Sequence, residues 1–306
     1  MGRTTKIQIK ENAMTATVRH DSTFHTVILW VFLVFFAPMA AAQDYGSNES
    51  RGGFVKVNDI SMYYEVYGEG PPLVLIHGSG QSIVDMAAQI DGFRDQYQII
   101  VADSRAHGKS GMTEQQMTYR QMASDWASLI AELATEPARV IGWSDGGNIA
   151  LELARAHSEL IDRVAVMGAN LAPDESAVYP WAVNWVLEES ANIEKQLADG
   201  DTSQNWAALK QQFYLLRELP DMTLEELSTI QAPVLVMAGD RDIIREEHTL
   251  LIYQTLPNAH LAIFPGETHF TPATDPELFN RTVDRFMDQP FTRPDSKTFI
   301  FGDDSH

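Results

Sequence analysis

Short, nearly unbroken apolar runs recur along the chain, and stretches with the apolar spacing of amphipathic helices lie between them. Such runs are typical of strands buried on both faces, as in a parallel sheet covered by helices. The alternation predicts an α/β fold with a mostly parallel central sheet flanked by helices. The runs cover 72–76, 99–102, 140–141, 164–167, 234–238 and 261–264, and the helical patterns cover 83–97, 119–133, 147–157, 246–256 and 276–288.

Two segments before the first buried run have a different pattern. Residues 54–58 and 60–67 are rich in Val and Tyr and alternate with polar residues. Alternation of this kind is typical of strands with one exposed face, and the short interval between the segments favours an antiparallel pair.

One interval interrupts the rhythm of strands and helices. About residues 171–230 have no strand pattern but several amphipathic helical stretches, with aromatic residues at Trp181, Trp185, Trp206 and Phe213. The aromatic content favours a short helical lid that covers a pocket at the carboxyl edge of the sheet. An ordinary helical connection is the alternative.

The N-terminal region resembles a targeting signal. An apolar run at 26–37 is followed by small residues up to Ala42, which predicts a signal peptide over 1–42 and a secreted or periplasmic protein. A retained membrane anchor is an alternative, although spanning a bilayer takes about 20 apolar residues. A buried N-terminal helix is another, and translation starting at Met14 would give a signal of ordinary length. We expect a flexible leader at 43–52, the folded domain at 53–289 and a C-terminal tail at 290–306.

Composition narrows the possible partners and chemistry. The formal net charge of −20 argues against nucleic-acid binding, which needs clustered Lys and Arg. The chain has no cysteine, so disulfides, thiolate nucleophiles and Cys-ligated metals are excluded. A membrane is expected as a partner only if the N-terminal segment is retained, and the sequence leaves the oligomeric state open.

Residues 142–146 read Gly-Trp-Ser-Asp-Gly, a G-x-S-x-G motif between a strand pattern and a helical pattern. A serine on a sharp strand-to-helix turn needs neighbours without clashing side chains, which explains the two glycines. The helix N-terminus behind the serine favours negative charge that develops on a substrate. The motif therefore predicts Ser144 as a nucleophile.

A nucleophilic serine needs a base and an acid that orients the base, which follow it along the chain in this type of site. His269 follows the last strand pattern and can reach back over the sheet edge. Asp240 and Asp242 both follow the strand pattern at 234–238. We favour Asp242 as the acid, while Asp240 is positioned to hold the loop backbone. Paired aspartates can also hold a hard cation, but Arg241 between them opposes that reading.

An oxyanion hole needs two backbone N–H donors. One is expected from Asp145, the residue after the nucleophile. The other is expected from Ser79, in the glycine-rich loop 77–80 after the first buried run. An ordinary glycine turn is the alternative for that loop.

The segment 103–110, Asp-Ser-Arg-Ala-His-Gly-Lys-Ser, ends like a phosphate-binding loop. That motif requires a glycine where Asp103 stands and a helix directly after the serine, and this chain has neither. We therefore predict a structural loop in which Arg105 pairs with Asp103 and braces the region beneath the site.

Together these motifs resemble those of the α/β-hydrolase superfamily, over about residues 54–287. They are HGSG (77–80), DSRAHGKS (103–110), GWSDGG (142–147), GDRD (239–242) and GETHF (266–270). The set looks most like the small single-lid serine esterases and lactonases, including the enol-lactone hydrolases and the valacyclovir-hydrolase-like esterases. Haloalkane dehalogenases and epoxide hydrolases use an aspartate at the position of Ser144, so the resemblance argues against them.

The resemblance implies a triad of Ser144, Asp242 and His269 and an oxyanion hole formed by Ser79 and Asp145. The sequence departs from the pattern at Ala106, which replaces a common glycine, and in its export signal. The expected activity is hydrolysis of a small-molecule carboxylic ester, thioester or lactone through an acyl-enzyme, with no cofactor and no metal. The alternatives are an aminopeptidase or amidase on the same scaffold, and a non-catalytic ligand-binding protein. A further hypothesis is that the Asp145 carboxylate attracts a substrate ammonium group.

Overall fold

Eight strands form one mixed sheet in the computed structural model, which describes residues 44–301. The predicted signal peptide, residues 1–42, lies outside the described residues. The strand order is β1-β2-β4-β3-β5-β6-β7-β8; β2 is antiparallel to β1 and β4, and the remaining pairs are parallel. The strands are β1 (Gly52–Val57), β2 (Ile60–Tyr67), β3 (Pro72–Ile76), β4 (Gln98–Ala102), β5 (Ala138–Trp143), β6 (Ile161–Met167), β7 (Val234–Arg241) and β8 (Ala259–Thr268).

Helices connect the parallel strands. They are α1 (Ala87–Phe93), α2 (Tyr119–Leu133), α3 (Asp145–Ala156), α4 (Pro180–Ala198), α5 (Trp206–Glu218), α6 (Leu224–Ser228), α7 (Glu246–Thr255), α8 (Thr271–Thr274), α9 (Pro276–Asp288) and α10 (Ser296–Phe301). Two 3₁₀ turns, Ile83–Met86 and Ser158–Leu160, complete the elements. Among the described residues, no helix has the length and apolar character needed to cross a membrane.

Both faces of the central strands are buried. In β3, Val74 and Ile76 belong to one apolar cluster, whereas Leu73 and Leu75 belong to the other, and all four side chains are fully buried. Since successive side chains on a strand point to opposite faces, the unbroken apolar run reflects helices on both sides of the sheet. The predicted fold class is confirmed.

One predicted helix is shorter than its pattern. The spacing over 83–97 predicts a single helix, but a 3₁₀ turn at Ile83–Met86 leads into α1, which ends at Phe93. The chain then turns, because Gln98 must return to the sheet to pair with Pro72.

The segment 44–51 is attached to the domain, so the expectation of a flexible leader is wrong for these residues. Tyr45 is buried, with 7% of its surface exposed, and its hydroxyl donates to Asp91. The backbone N–H groups of Gly46 and Asn48 donate to the Glu65 carboxylate over 2.9 and 2.7 Å. A carboxylate that is itself fully buried thus ties this segment to β2.

Three helices, α4 to α6, occupy the interval for which a lid is predicted. Trp185 of α4 packs on Phe213 of α5, with ring centroids 5.5 Å apart. Gln212 of α5 is buried and donates to the backbone oxygen of Ala106 over 2.6 Å. The pair α4–α5 is therefore fastened to the loop that follows β4.

The ion pair predicted within that loop is wrong. Arg105 pairs with Asp125 of α2 at 2.7 Å and with Asp59 at 2.6 Å. The Asp103 carboxylate instead accepts the backbone N–H groups of Ile83 and Lys109 over 2.9 and 2.8 Å. Because two backbone donors already satisfy the Asp103 carboxylate, Arg105 pairs with Asp125 and Asp59 instead.

Candidate active site

Ser144 stands in a strained turn between β5 and α3. Its φ of 57° and ψ of −121° lie in a region that residues other than glycine rarely adopt. A Cβ on Gly142 would lie 2.2 Å from the Gly146 oxygen, and a Cβ on Gly146 would lie 2.1 Å from the Ile76 oxygen. Both glycines of the motif are therefore required for the turn that presents Ser144 at the sheet edge.

His269 and Asp242 form a buried pair at the same edge. The distance from His269 Nδ1 to Asp242 Oδ1 is 2.6 Å, and their side chains are 6% and 0% exposed. The carboxylate also accepts the backbone N–H of Ile244 at 3.1 Å, so its orientation is fixed by its own loop. With Nδ1 donating to this carboxylate, Nε2 of His269 is left to act as an acceptor.

Two contacts hold the His269 loop against the nucleophile turn. Trp143, the residue before Ser144, donates from Nε1 to the backbone oxygen of His269 over 2.8 Å. Gly168, directly after β6, leaves room for the imidazole, because a Cβ there would lie 2.5 Å from its Cε1 and Nδ1 atoms. The Ser144 N–H donates to the backbone oxygen of Met167, the residue before Gly168. Sequence reasoning missed both Trp143 and Gly168, since their partners are far away along the chain.

Asp240 and Asp242 have different partners. Asp240 accepts the backbone N–H of Gly266 over 2.9 Å and so joins the two loops that follow β7 and β8. Asp242 is the carboxylate in contact with His269. The structure thus brings Asp242 and His269 together, as the sequence predicts, and leaves Asp240 in a bracing position.

The loop that carries Ser79 lies directly beside the nucleophile. A Cβ on Gly78 would lie 3.0 Å from the Ser144 Cβ. His77 is fully enclosed: its Nδ1 bonds to the Gly78 oxygen at 2.8 Å, and its Nε2 accepts the Ser104 N–H at 3.0 Å. Burial lowers the pKa of His77 to about 4, so the ring is neutral near pH 7. It therefore holds the loop without adding charge.

Asp145 begins α3 and places its carboxyl in the interior. Tyr119 donates from its hydroxyl to Oδ1 over 2.8 Å, and the Ser79 side chain is a second hydroxyl group near the carboxyl. Burial raises the pKa of Asp145 to about 6, against the opposing effects of Tyr119, His269 and the Ser79 side chain. The Asp145 carboxyl, directly after Ser144, therefore changes its protonation state at about pH 6.

Residues 71–205 match the family model of the α/β hydrolase fold. The chain is 26% identical over 260 residues to the putative carbamate hydrolase RutD of Caulobacter sp. (strain K31), across 74% of this chain and 95% of that protein. It is 25% identical to the serine hydrolase BPHL of Mus musculus, across 76% and 85%. Each of these alignments covers about three quarters of this chain.

Two solved structures share the architecture. Est816, described as an N-acyl homoserine lactone degrading enzyme, superposes with a TM-score of 0.62 at 23% identity, over 76% of this chain and all of that one. The enol-lactonase from Burkholderia xenovorans LB400 superposes with a TM-score of 0.64 at 21% identity, over 78% of this chain and all of that one. The chain thus has the α/β-hydrolase fold, and the matches support a hydrolase of that fold.

Proposed function

We propose that this protein is a serine hydrolase that cleaves a small carboxylic ester, thioester or lactone through an acyl-enzyme, with Ser144, Asp242 and His269 as its triad. The observation that carries the proposal is the buried 2.6 Å pair of His269 and Asp242 at the same sheet edge as the strained Ser144 turn. Strain of this kind costs roughly 1–3 kcal/mol and is retained where it serves chemistry.

In the proposed reaction His269 Nε2 removes the proton of Ser144 Oγ as Oγ bonds to the substrate carbonyl carbon. The carbonyl oxygen becomes an oxyanion facing the backbone N–H groups of Ser79 and Asp145. Collapse breaks the bond to the leaving oxygen or sulfur, which takes the proton from His269. A water molecule then gives a proton to His269 Nε2 as its oxygen bonds to the acyl carbon; the bond from Ser144 Oγ to that carbon breaks, Oγ takes the proton back from His269, and the acid is released.

A second candidate is an aminopeptidase or amidase. The Asp145 carboxylate is buried directly after Ser144 and forms no ion pair within residues 44–301, which favours a substrate that brings an ammonium group close to the scissile bond. The relatives named putative carbamate hydrolase also support a substrate in which nitrogen is bonded to the scissile carbonyl carbon. Esters remain our first choice, since His269 then protonates a better leaving group.

The first experiment is labelling with a fluorophosphonate probe, which reacts with activated serines. Wild type, Ser144→Ala and Ser176→Ala are compared; Ser176 is exposed and lies between β6 and α4. We expect labelling of wild type and Ser176→Ala but not of Ser144→Ala. A panel of p-nitrophenyl esters, lactones and anilides then separates esterase from amidase. A folded wild type that stays unlabelled would contradict the serine mechanism and favour a non-catalytic ligand-binding protein.

We also propose export through the signal at residues 1–42, which lies outside the described residues. Expression of the full chain in a bacterial host, followed by fractionation and intact mass measurement, tests this proposal. Export predicts a periplasmic or extracellular product that begins near Gln43. A membrane-bound product of full mass would instead indicate a retained anchor.

A further inference from the structure

The loop from Gly78 to Gln81 is closed by an unusual number of bonds to one residue. The Gln81 N–H donates to the Gly78 oxygen over 3.3 Å, which closes a four-residue turn. Gly80 has a φ of 69°, which such a turn favours at its third residue. The Gln81 side chain then bonds Gly78 a second time: Oε1 accepts the Gly78 N–H over 2.7 Å. Gln81 therefore holds both polar groups of Gly78.

The held residue is the one in contact with the nucleophile. The position that a Cβ would take on Gly78 lies 3.0 Å from the Ser144 Cβ and 3.0 Å from Gln81 Oε1. The amide oxygen is therefore within about 6 Å of the Ser144 Cβ. A side chain this close to the reacting serine affects the reaction through any small displacement of the loop.

Fixing Gly78 also fixes the direction of the Ser79 N–H. The Gly78 oxygen accepts from the backbone of Gln81 and bonds to His77 Nδ1, so the plane of the peptide between Gly78 and Ser79 is held from two sides. In a planar trans peptide the N–H points opposite to the C=O. The Ser79 N–H is thus aimed away from His77 and Gln81.

We propose that Gln81 is a positioning residue of the oxyanion hole, acting through its side-chain acceptor on Gly78. The inference rests on the proposed function, because it assigns the Ser79 N–H to the oxyanion. Without this acceptor the Gly78 N–H loses its partner, so the peptide before Gly78 gains freedom to rotate and can displace the adjoining peptide that carries the Ser79 donor. Preorganised donors lose much of their effect when they must be oriented during the reaction.

The test replaces Gln81 with Met, which has a similar length but no strong acceptor, and with Glu, which keeps an acceptor oxygen. Gln96→Leu is the control, because Gln96 is exposed and its side chain is outside the site. The measurements are kcat and KM on the best ester, affinity for an arylboronic acid that forms a tetrahedral adduct, and thermal stability. The boronate reports on the oxyanion hole, whereas a purely structural role would change stability alone.

We expect Gln81→Met to lower kcat about tenfold or more with KM within about twofold, and to weaken boronate binding by a similar factor. Gln81→Glu should bind boronate more tightly than Gln81→Met, and Gln96→Leu should match wild type. Unchanged kcat and boronate affinity in a folded Gln81→Met protein would overturn the inference. If Gln81→Met does not fold, Gln81→Glu decides the question. Because Glu keeps an acceptor oxygen, wild-type stability together with a boronate affinity lowered about tenfold or more would overturn the inference. An unlabelled wild type would instead contradict the proposed function itself.

Discussion

Tyr119 and Asp145 join the first turn of α2 to the residue that follows the candidate nucleophile, through a hydrogen bond of 2.8 Å. The Asp145 carboxyl is buried and forms no ion pair within residues 44–301. An ionised carboxylate in this setting lacks the solvation that water would provide, which explains the raised pKa of about 6.

Replacing Asp242 with Asn should remove the charge that orients and stabilises protonated His269 while keeping the shape of the side chain. By analogy with other triads we expect kcat to fall by about 10³–10⁴-fold with a small change in KM. Steady-state kinetics on a p-nitrophenyl ester measure the effect. Asp240→Asn is the matched control and should retain most activity, because the Asp240 carboxylate bonds to the Gly266 N–H rather than to His269. Equal losses in both variants would exclude the assignment of Asp242.

Replacing Asp145 with Asn should change substrate preference if the carboxylate attracts an ammonium group. We expect kcat/KM for a cationic amino ester to fall at least tenfold more than for its neutral analogue. In wild type this preference should weaken as the pH falls through about 6, where the carboxyl takes up a proton. Parallel kinetics at pH 5 and 8 measure both effects. Equal losses for the two esters would end the hypothesis.

The same variant should be more stable than wild type at high pH. The pKa of Asp145 is raised in the folded state from 3.8 to about 6, so the folded protein binds more protons than the unfolded chain between these values. Folding stability therefore decreases as the pH rises through this window. At pH 8 the cost is about 3 kcal/mol at most, and Asn can still accept from Tyr119. Urea unfolding at pH 4 and 8 should show a gain for Asp145→Asn at pH 8 that shrinks at pH 4; an equal effect at both pH values would contradict the shift.

Replacing Gly146 with Ala should disrupt the nucleophile turn. The added Cβ would lie 2.1 Å from the Ile76 oxygen, which belongs to the central strand β3 and has little freedom to move. We expect a loss of stability of about 1–3 kcal/mol or more, together with a large loss of fluorophosphonate labelling. Gly53→Ala is the control, because a Cβ there meets no atom within 4 Å. Normal labelling of Gly146→Ala would show that the turn tolerates a side chain.

Replacing Glu65 with Gln should loosen the N-terminal segment. The carboxylate accepts from the backbone of Gly46 and Asn48 and from the hydroxyls of Tyr63 and Tyr67. Gln keeps one acceptor oxygen, but its amide N–H groups would face the donors that now bind the carboxylate. We therefore expect the free energy of unfolding to fall by about 1–3 kcal/mol. Limited proteolysis of the protein starting at residue 43 should show faster cleavage at 44–51. An unchanged cleavage rate would mean that other contacts hold the segment.

The local patterns predict the strands well because their cause is local. A strand buried on both faces must be apolar at every position, as in β3, and a sharp turn around Ser144 must have glycines at 142 and 146. Tertiary structure overrides the local pattern at residues 94–97. The helical spacing continues there, but α1 ends at Phe93 because the chain must turn for β4 to pair with β3.

The partners of charged and polar side chains are less predictable. Arg105 pairs with Asp125 and Asp59 rather than with the neighbouring Asp103. The polar leader at 44–51 is anchored because Glu65 is buried beneath it, which composition does not reveal. Neither result follows from spacing along the chain.

The sequence by itself determined the fold class, the turn at Ser144 and the choice of His269 and Asp242 as its candidate partners. Only the tertiary structure decided that His269 and Asp242, 27 residues apart, meet at 2.6 Å, that Tyr119 reaches Asp145, and that Gln81 holds Gly78. The physical reason is that strands and turns are selected by local sterics and burial. Hydrogen-bond partners at the sheet edge lie on loops that are distant along the chain, so they depend on which loops the tertiary structure brings together.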